Sequence, residues 1–385
     1  MRWVVVGNPD NRRVGLLQAA LASAGLAPAR VLAWIDLLRG RAALEEALAP
    51  GTVLRLESPG EDAAVERELI ALGADLPDPE RPRAARIPAA GARALPDERG
   101  RLRFPRQWYL GFRAALLRCA AALEAAPPGV VPTSDPRDVA CMFDKPACQA
   151  RLAAAGVAIP PGLGSIASWD ELRAAMRAAG RPRVFVKLSA GSSASGVVAL
   201  ETRPGQVLAH TTVELVRQGG EARLYNSLRV RRYTDEREVA LIVDALLAEG
   251  AQVEAWLPKA TLAGRRFDLR VVAIDGRAKH VVVRTSRSPL TNLHLGNRRG
   301  DPAAARALLG EPRWAEALTL VERAAGAFPR TRHLGVDLLV GASLRRLAVL
   351  EVNAFGDLLP HALHEGRDTY AAEVAAVEAH GLEVA

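Results

Sequence analysis

Residues 334–357 read LGVDLLVGASLRRLAVLEVNAFGD, and they constrain the fold more than any other stretch of the chain. Two short apolar runs, LGVDLLV and LAVLEVN, have the length and composition of buried strands, which commits this region to a sheet. Each run also carries groups that a buried strand ordinarily excludes: Asp337 in the first, Glu351 and Asn353 in the second. An ionised carboxylate in apolar surroundings is costly unless it is paired or binds a metal. Either these strands are half-exposed and the three residues face water, or the carboxylates have buried partners. Glu351 and Asn353 are two apart and share one strand face, which sends Leu350 and Val352 to the other.

The chain has 385 residues, enough for two or three domains, and its 49% hydrophobic content is that of a globular protein. The opening MRWVVVGNPD runs straight into a turn, so no signal peptide is expected, and no apolar stretch is long enough to cross a bilayer. Cys119, Cys141 and Cys148 are odd in number and lack metal-site spacing, which fits packing roles and a reducing cytoplasm. The formal charge is +8, but 47 of the 51 basic residues are arginine. Basic clusters such as Leu228–Arg232 and Arg298–Arg299 are therefore weak signs of a binding patch. The four lysines, Lys145, Lys187, Lys259 and Lys279, each carry more information.

Along the chain, Trp3–Val6 predicts a strand, Val14–Ala24 a helix and Val53–Leu56 a second strand, an α/β layer of βαβ type. Asp78–Arg106 is rich in Pro, Arg and Gly and predicts an extended loop, followed by a helix over Tyr109–Ala126. The SDPRD stretch at 134–138 opens another helix, and a second unit starts near Asp144 with a helix ending at Gly156. Ser168 and Glu171 form a capping box. A strand over Arg183–Leu188, a helix over Asp235–Glu249 and strands over 251–257, 269–274 and 280–284 follow. A helical region within Ala303–Ala325 and a last helix, Thr369–Ala379, complete the reading, which finds no internal repeat.

Several of these segments hold chemistry. VFVKLSAGSSASGVVAL places Lys187 at a strand end before a Gly/Ser loop, where small residues let backbone N–H groups approach an anion. A flexible hairpin loop is the plain alternative. Glu254 sits in the apolar run VEAWLP, and RRFDLRVVAIDGRAKHVVVRTS predicts a hairpin over Asp275–Gly276 that embeds Asp268, Arg270 and Arg284. The polar stretch SRSPLTNLHLGNRRGD, with Asn292 and His294, is long enough for a lid. His361 and His364 are spaced to meet on a helix face, too few ligands for a metal.

Taken in order, Lys145 in FDKPACQARL, Lys187 before GSSASG, Glu254 in VEAWL, FDLRVV, the Arg284 strand, TNLHLG, GVDLL and LEVNAFG resemble an ATP-grasp enzyme. The latter half is similar to ribosomal-protein glutamate ligases and glutathione synthetase-like members. The resemblance covers about Asp144 to Pro360. It implies an α/β (α+β) protein with an N-terminal α/β domain over 1–143, a small lobe over 144–250 and a large lobe over 251–385. It further implies that Lys145, Lys187 and the loop with Ser192, Ser193 and Gly196 hold ATP phosphates. Glu254 and the backbone at Trp256 and Leu257 would meet the adenine, with Asp268 near the ribose and Asn292 also at the nucleotide. Arg270 and Arg284 would neutralise the transferred phosphoryl group, and Asp337, Glu351 and Asn353 would hold two Mg²⁺ ions. The implied reaction joins a carboxylate to an amine through an acyl-phosphate, on small-molecule or peptide substrates. The segment after Asn353, AFGDLLPH, departs from the small-residue turn of such ligases, and Glu201–Arg232 matches no member. Competing functions are a kinase-like phosphotransferase and a basic nucleic-acid-binding protein. The 4% aromatic content argues against the latter, since single-strand binding relies on stacking.

Overall fold

The structure is a computed structural model that describes residues 1–191, 194–356, 359 and 361–383, with side chains as far as residue 379. In the N-terminal layer, β1 (Arg2–Gly7) leads into α1 (Arg12–Ser23), whose first turn is capped by Asn11 accepting from the Arg13 amide. Then come β2 (Arg30–Ala33), α2 (Trp34–Leu38), β3 (Thr52–Leu56), α3 (Ala63–Leu72), α4 (Ala89–Arg93), α5 (Pro105–Glu124), β4 (Val131–Pro132) and α6 (Pro136–Phe143). The strands pair in parallel in the order β2-β1-β3-β4, so the α/β layer expected from the first two strands is present. Helices α3 and α5 approach at Gly73 and Gly111: a Cβ on Gly111 would overlap the Leu69 carbonyl, and one on Gly73 the Gln107 carbonyl.

Next come α7 (Lys145–Ala154), capped by Asp144, whose Cys148 and Leu152 pack in the core shared by the N-terminal layer and the third sheet, and α8 (Trp169–Ala178), where Ser168 accepts from the Glu171 amide and Glu171 accepts from the Ala167 amide. An antiparallel sheet follows: β5 (Arg183–Leu188), β6 (Val197–Arg203), β7 (Gln206–Gln218) and β8 (Glu221–Tyr233). Helix α9 (Glu236–Ala248) covers it, and β9 (Ala251–Ala255) closes it in the order β8-β7-β6-β5-β9. The unmatched segment 201–232 is thus mostly one long hairpin that leaves β8 as an edge.

The third sheet contains β10 (Thr261–Leu262), β11 (Arg265–Ile274), β12 (Arg277–Ser286) and β13 (Arg298–Gly300). After α10 (Pro302–Leu309) and α11 (Glu311–Gly326), separated at Gly310, come β14 (His333–Val340) and β15 (Leu347–Asn353). Its order is β13-β12-β11-β14-β15, with β10 on β11. The final helix, α12 (Thr369–Glu383), returns to the N-terminal layer, where Tyr370, Val374 and Val377 pack with Val5, Leu17 and Leu21. One apolar core joins the N-terminal layer to the third sheet, while the five-stranded sheet has its own. No described helix is long and apolar enough to cross a membrane.

Two expectations need correction. Asp78–Arg106 is not one extended loop: it contains α4, the start of α5 and a strap that pairs with the β8 edge. Asn226 N–H donates to the Gly100 carbonyl at 2.6 Å, and Leu102 N–H to the Leu224 carbonyl at 2.9 Å. Gly100 has φ +78, and a Cβ there would press on the Asn226 carbonyl, so this contact needs glycine. The segment is further fixed by Arg106, buried against Asp78 at 2.8 Å. The HALHE stretch is not helical. His361 has φ +65, and His364 instead bridges to Arg367 and meets His280 edge-to-face.

Candidate active site

The facing surfaces of the five- and six-stranded sheets leave a cleft between them that opens to solvent. Strand register sets what points into it. In the third sheet, Arg284 lies opposite Asp268, Arg270 opposite Asp337, and Asp337 opposite Glu351. Cross-strand partners share a face, so four neighbouring strands present these five charged side chains, with Asn353 two residues beyond Glu351, on one surface. A one-residue register slip of any of these strands would turn its charges to the opposite face.

Leu350 departs from the expected alternation. Asp337 pairs with Glu351 and Leu338 with Val349, so Leu350 is the extra residue of a β-bulge. The bulge turns Leu350 onto the cleft side, where it lines the cavity beside Glu351 and packs with Leu339 and Leu257.

The charges are mutually compensated. Arg270 Nε donates to Asp337 Oδ1 at 2.5 Å, and Arg284 reaches Asp337 Oδ2 at 2.9 Å and Asp268 Oδ1 at 2.8 Å. Burial pushes the Asp268 carboxyl up, but Arg284 and Lys259 outweigh it and hold the group well below the usual range. Lys145 comes from the start of α7. Its ammonium lies 3.1 Å from Glu351 and donates to the Gly191 carbonyl at 2.6 Å, so it ties the Gly/Ser loop to the carboxylate strand.

On the opposite wall, Phe185 pairs with Glu254 and Lys187 with Gln252, which places all four on the cleft side of β5 and β9. Lys187 and the buried Glu254 are 2.5 Å apart, and Gln149 of α7 donates to Glu254 at 2.9 Å. Burial pushes Lys187 down, yet Glu254 and then Glu351 more than offset it, so its pKa stands above the ordinary lysine value. Glu254 does not face water, because its side chain is 1% exposed.

The predicted residues converge to different degrees. Lys145, Lys187, Glu254, Leu257, Asp268, Arg284, Asn292, Asp337 and Glu351 line the cleft; Arg270 and Asn353 line the adjoining opening with Glu351. The Trp256 ring packs on Phe185 at 5.4 Å, with Arg183 over it, and the Trp256 backbone amide donates to the Arg183 carbonyl at 3.3 Å. Gly196 lies at the base of the loop, φ +62, its carbonyl accepting from the Leu188 amide. Ser192 and Ser193 lie outside the described residues. Asp268 has both oxygens engaged by protein donors, Arg284 on one and Lys259 and Thr291 on the other. Sequence reasoning assigned no role to Lys259 or Thr291, although the scarcity of lysine marked Lys259 for attention. The cysteines pack: burial pushes Cys119 and Cys148 up to about 12.

Glu351 and Asn353 on β15 and Asp337 on β14 share one sheet face and carry hard oxygens of the kind Mg²⁺ takes, although both Asp337 oxygens are engaged by Arg270 and Arg284. Among the described residues no three acidic, histidine or cysteine side chains converge on a single point. The donors present therefore fit Mg²⁺ as a partial set, which phosphate oxygens would complete.

No family model matches the sequence, and no curated protein sequence matches it. Solved structures do match it along nearly its whole length. The ATP-grasp ligase PsnB, complexed with minimal precursor, Mg and ADP, aligns with TM-score 0.51 and 18% identity over 98% of this chain and 98% of that one. The D-cycloserine synthetase DcsG aligns with TM-score 0.53 and 15% identity, covering 98% and 99% of the two chains. The macrocyclase MdnC of Microcystis aeruginosa MRC, bound with precursor peptide MdnA, aligns with TM-score 0.52 and 12% identity over 99% and 100%. Three chemically different ligase names on one backbone arrangement speak to architecture. With a charged cleft between two sheets behind an N-terminal α/β layer, this chain has the ATP-grasp fold.

Proposed function

We propose that the protein is an ATP-dependent carboxylate–amine ligase that works through an acyl-phosphate. The observation that carries this reading is the distribution of lysine: three of the four lysines in the chain, Lys145, Lys187 and Lys259, line one cleft. A chain that otherwise uses arginine has gathered compact ammonium groups here, with Lys145 and Lys187 on the cleft walls beside the Gly/Ser loop and Lys259 engaged by Asp268 beneath. Lys145 and Lys187 would hold phosphates together with the loop at 191–196. Ala255 and Leu257 line the cleft near Glu254 and would seat the adenine. Asp268, whose oxygens are taken by protein donors, is better placed to orient Arg284 than to bind a ribose.

Glu351 and Asn353 would hold Mg²⁺, two ions in this reading, and Asp337 would join them by exchanging Arg270 or Arg284 for the metal; Mg and ADP are both present in the PsnB complex. When bound, the metal supplies charge neutralisation across the phosphates. Arg270 and Arg284 would stabilise the charge that spreads over the phosphoryl group as it passes to a carboxylate oxygen, releasing ADP. An amine then attacks the acyl carbon, and phosphate leaves with the bonding electron pair. The minimal precursor in the PsnB complex and the precursor peptide in the MdnC complex make a peptide carboxylate the first class to test.

The test is ADP release against pooled carboxylates and amines, with mass spectrometry of the products. A coupled product that has lost water is expected; a phosphorylated product without coupling would identify a phosphotransferase. Lys187→Met is expected to weaken ATP binding at least tenfold. It should also destabilise the fold, because it leaves Glu254 buried without its cation, a change worth about 3–5 kcal/mol. Unchanged ATP affinity in calorimetry would remove Lys187 from the phosphate site.

A further inference from the structure

Lys259 follows the end of β9, and its backbone is pinned to the far end of β14: Ala260 N–H donates to the Val340 carbonyl at 2.8 Å and Ala342 N–H to the Pro258 carbonyl at 2.9 Å. Its side chain has little freedom. The ammonium donates to Asp268 Oδ2 at 2.8 Å and to Thr291 Oγ1 at 2.7 Å, and the Thr291 hydroxyl itself donates to Asp268 Oδ2 at 2.5 Å. Thr291 is 1% exposed although it belongs to the polar stretch 287–297 between β12 and β13. Past Arg287, several bonds of that stretch stay inside it: Asn297 donates to the Leu290 and Asn292 carbonyls, and Ser288 donates to the Leu290 carbonyl. Leu293 packs the stretch on Val272, Ile274 and Val282, and Ser288 bonds to Ser286 at the end of β12; Thr291 is where it is hydrogen-bonded to the buried charges of the sheet.

The far side of Asp268 holds Arg284, which in turn reaches Asp337 and through it Arg270. A continuous line of hydrogen bonds runs from the 287–297 stretch to both arginines. We propose that Lys259 and Thr291 are positioning residues: they clasp the 287–297 stretch onto Asp268 and thereby fix the direction of the Arg284 guanidinium. An ammonium suits this place because it has three donors and can serve two acceptors at once. Without it, the second Asp268 oxygen would retain Thr291 alone, and the carboxylate would be free to turn. The effect on turnover rests on the ligase reading above; the effect on the loop does not.

The experiment compares wild type, Thr291→Val, Thr291→Ser and Lys259→Met. Amide exchange over residues 288–296 is measured without nucleotide. Thr291→Val keeps the shape and removes one buried hydroxyl, so exchange should rise about tenfold there, the equivalent of one such hydrogen bond. Thr291→Ser should restore protection. If Lys259→Met does not fold, Thr291→Val alone carries this comparison. Unchanged exchange in every variant that folds overturns the clasp, whatever the enzyme does. In the second arm, Thr291→Val should lower kcat for ADP release with KM for ATP nearly kept, and Thr291→Ser should recover it. A loosened loop with wild-type kcat would overturn the link to Arg284. If wild type itself neither binds nor turns over ATP, the ligase reading fails, and exchange still decides the clasp.

Discussion

Glu351 faces two unlike neighbours, with Lys145 at 3.1 Å and Asp337 directly across the strand pair. Were the site only a crowd of carboxylates, removing one charge would relieve repulsion and raise stability. The lysine reverses that sign. Glu351→Gln should cost the ligand-free protein about 1 kcal/mol, because Lys145 loses its partly exposed partner. Burial pushes the Glu351 carboxyl up, but Lys145 and then Lys187 bring it below its ordinary value. A pKa depressed in the folded state stabilises above the ordinary carboxylate range, and this is lost as pH falls through the folded value. Melting curves of wild type and Glu351→Gln should therefore differ near neutrality and converge in acid. With Mg²⁺ and ATP added, the rise in Tm should be smaller for the variant, since ligand stabilisation follows affinity. Equal rises would show that Glu351 holds no metal. Arg284 calls for a gentler change, because two carboxylates depend on it. Arg284→Lys should fold and lose about 10²-fold or more in kcat, and undiminished turnover would deny it a part in phosphoryl transfer.

At the level of elements, glycine in a helix is ordinarily a weakness, and replacing it by alanine gains about 1 kcal/mol. Gly111 in α5 should do the opposite, because the added methyl would strike the Leu69 carbonyl of α3. Gly111→Ala should lower Tm by several degrees, and a Tm at or above wild type would mean the helices separate freely. Nothing local in LGFRAALL announces such a crossing, which depends on where another helix passes. The same division between local and distant causes governs what could be read from sequence. Capped helices were legible because their signals lie within a turn: Ser168 with Glu171, Asp135 before Pro136, Asp235 before α9. The hairpin at Asp275–Gly276 and the carboxylate strands were legible from apolar patterning. The β7–β8 hairpin was not, since arginines and threonines interrupt its alternation, and the Leu350 bulge needs the register of β14. Site residues on strands were found from charge set in apolar runs. Thr291 escaped because a threonine in a polar loop is unremarkable until Asp268 is seen beneath it.

Across the whole molecule, chain ends and insertions cross between units. Helix α12 returns to pack on the first β-strand layer, so a fragment cut near residue 330 would leave Val5, Leu17 and Leu21 uncovered. The strap at Gly100–Leu102 makes the reverse connection, from the N-terminal layer to β8. That strand is the outermost of its sheet, and Leu228 on it is 66% exposed. An uncovered edge invites another molecule's strand, and proteins deter this by covering the edge or by charging it. Here both devices meet: the strap covers β8 at Leu224–Asn226, and Arg229, Arg231 and Arg232 lie farther along it. The basic cluster that suggests nucleic acid in sequence thus has a second meaning, as a guard against self-association. Replacing residues 97–103 by a Gly/Ser linker should leave the arginines as the sole deterrent, and light scattering should then detect dimers or larger species that high salt increases by screening those charges. A variant that remains monomeric at all salt concentrations would show that the edge needs no cover.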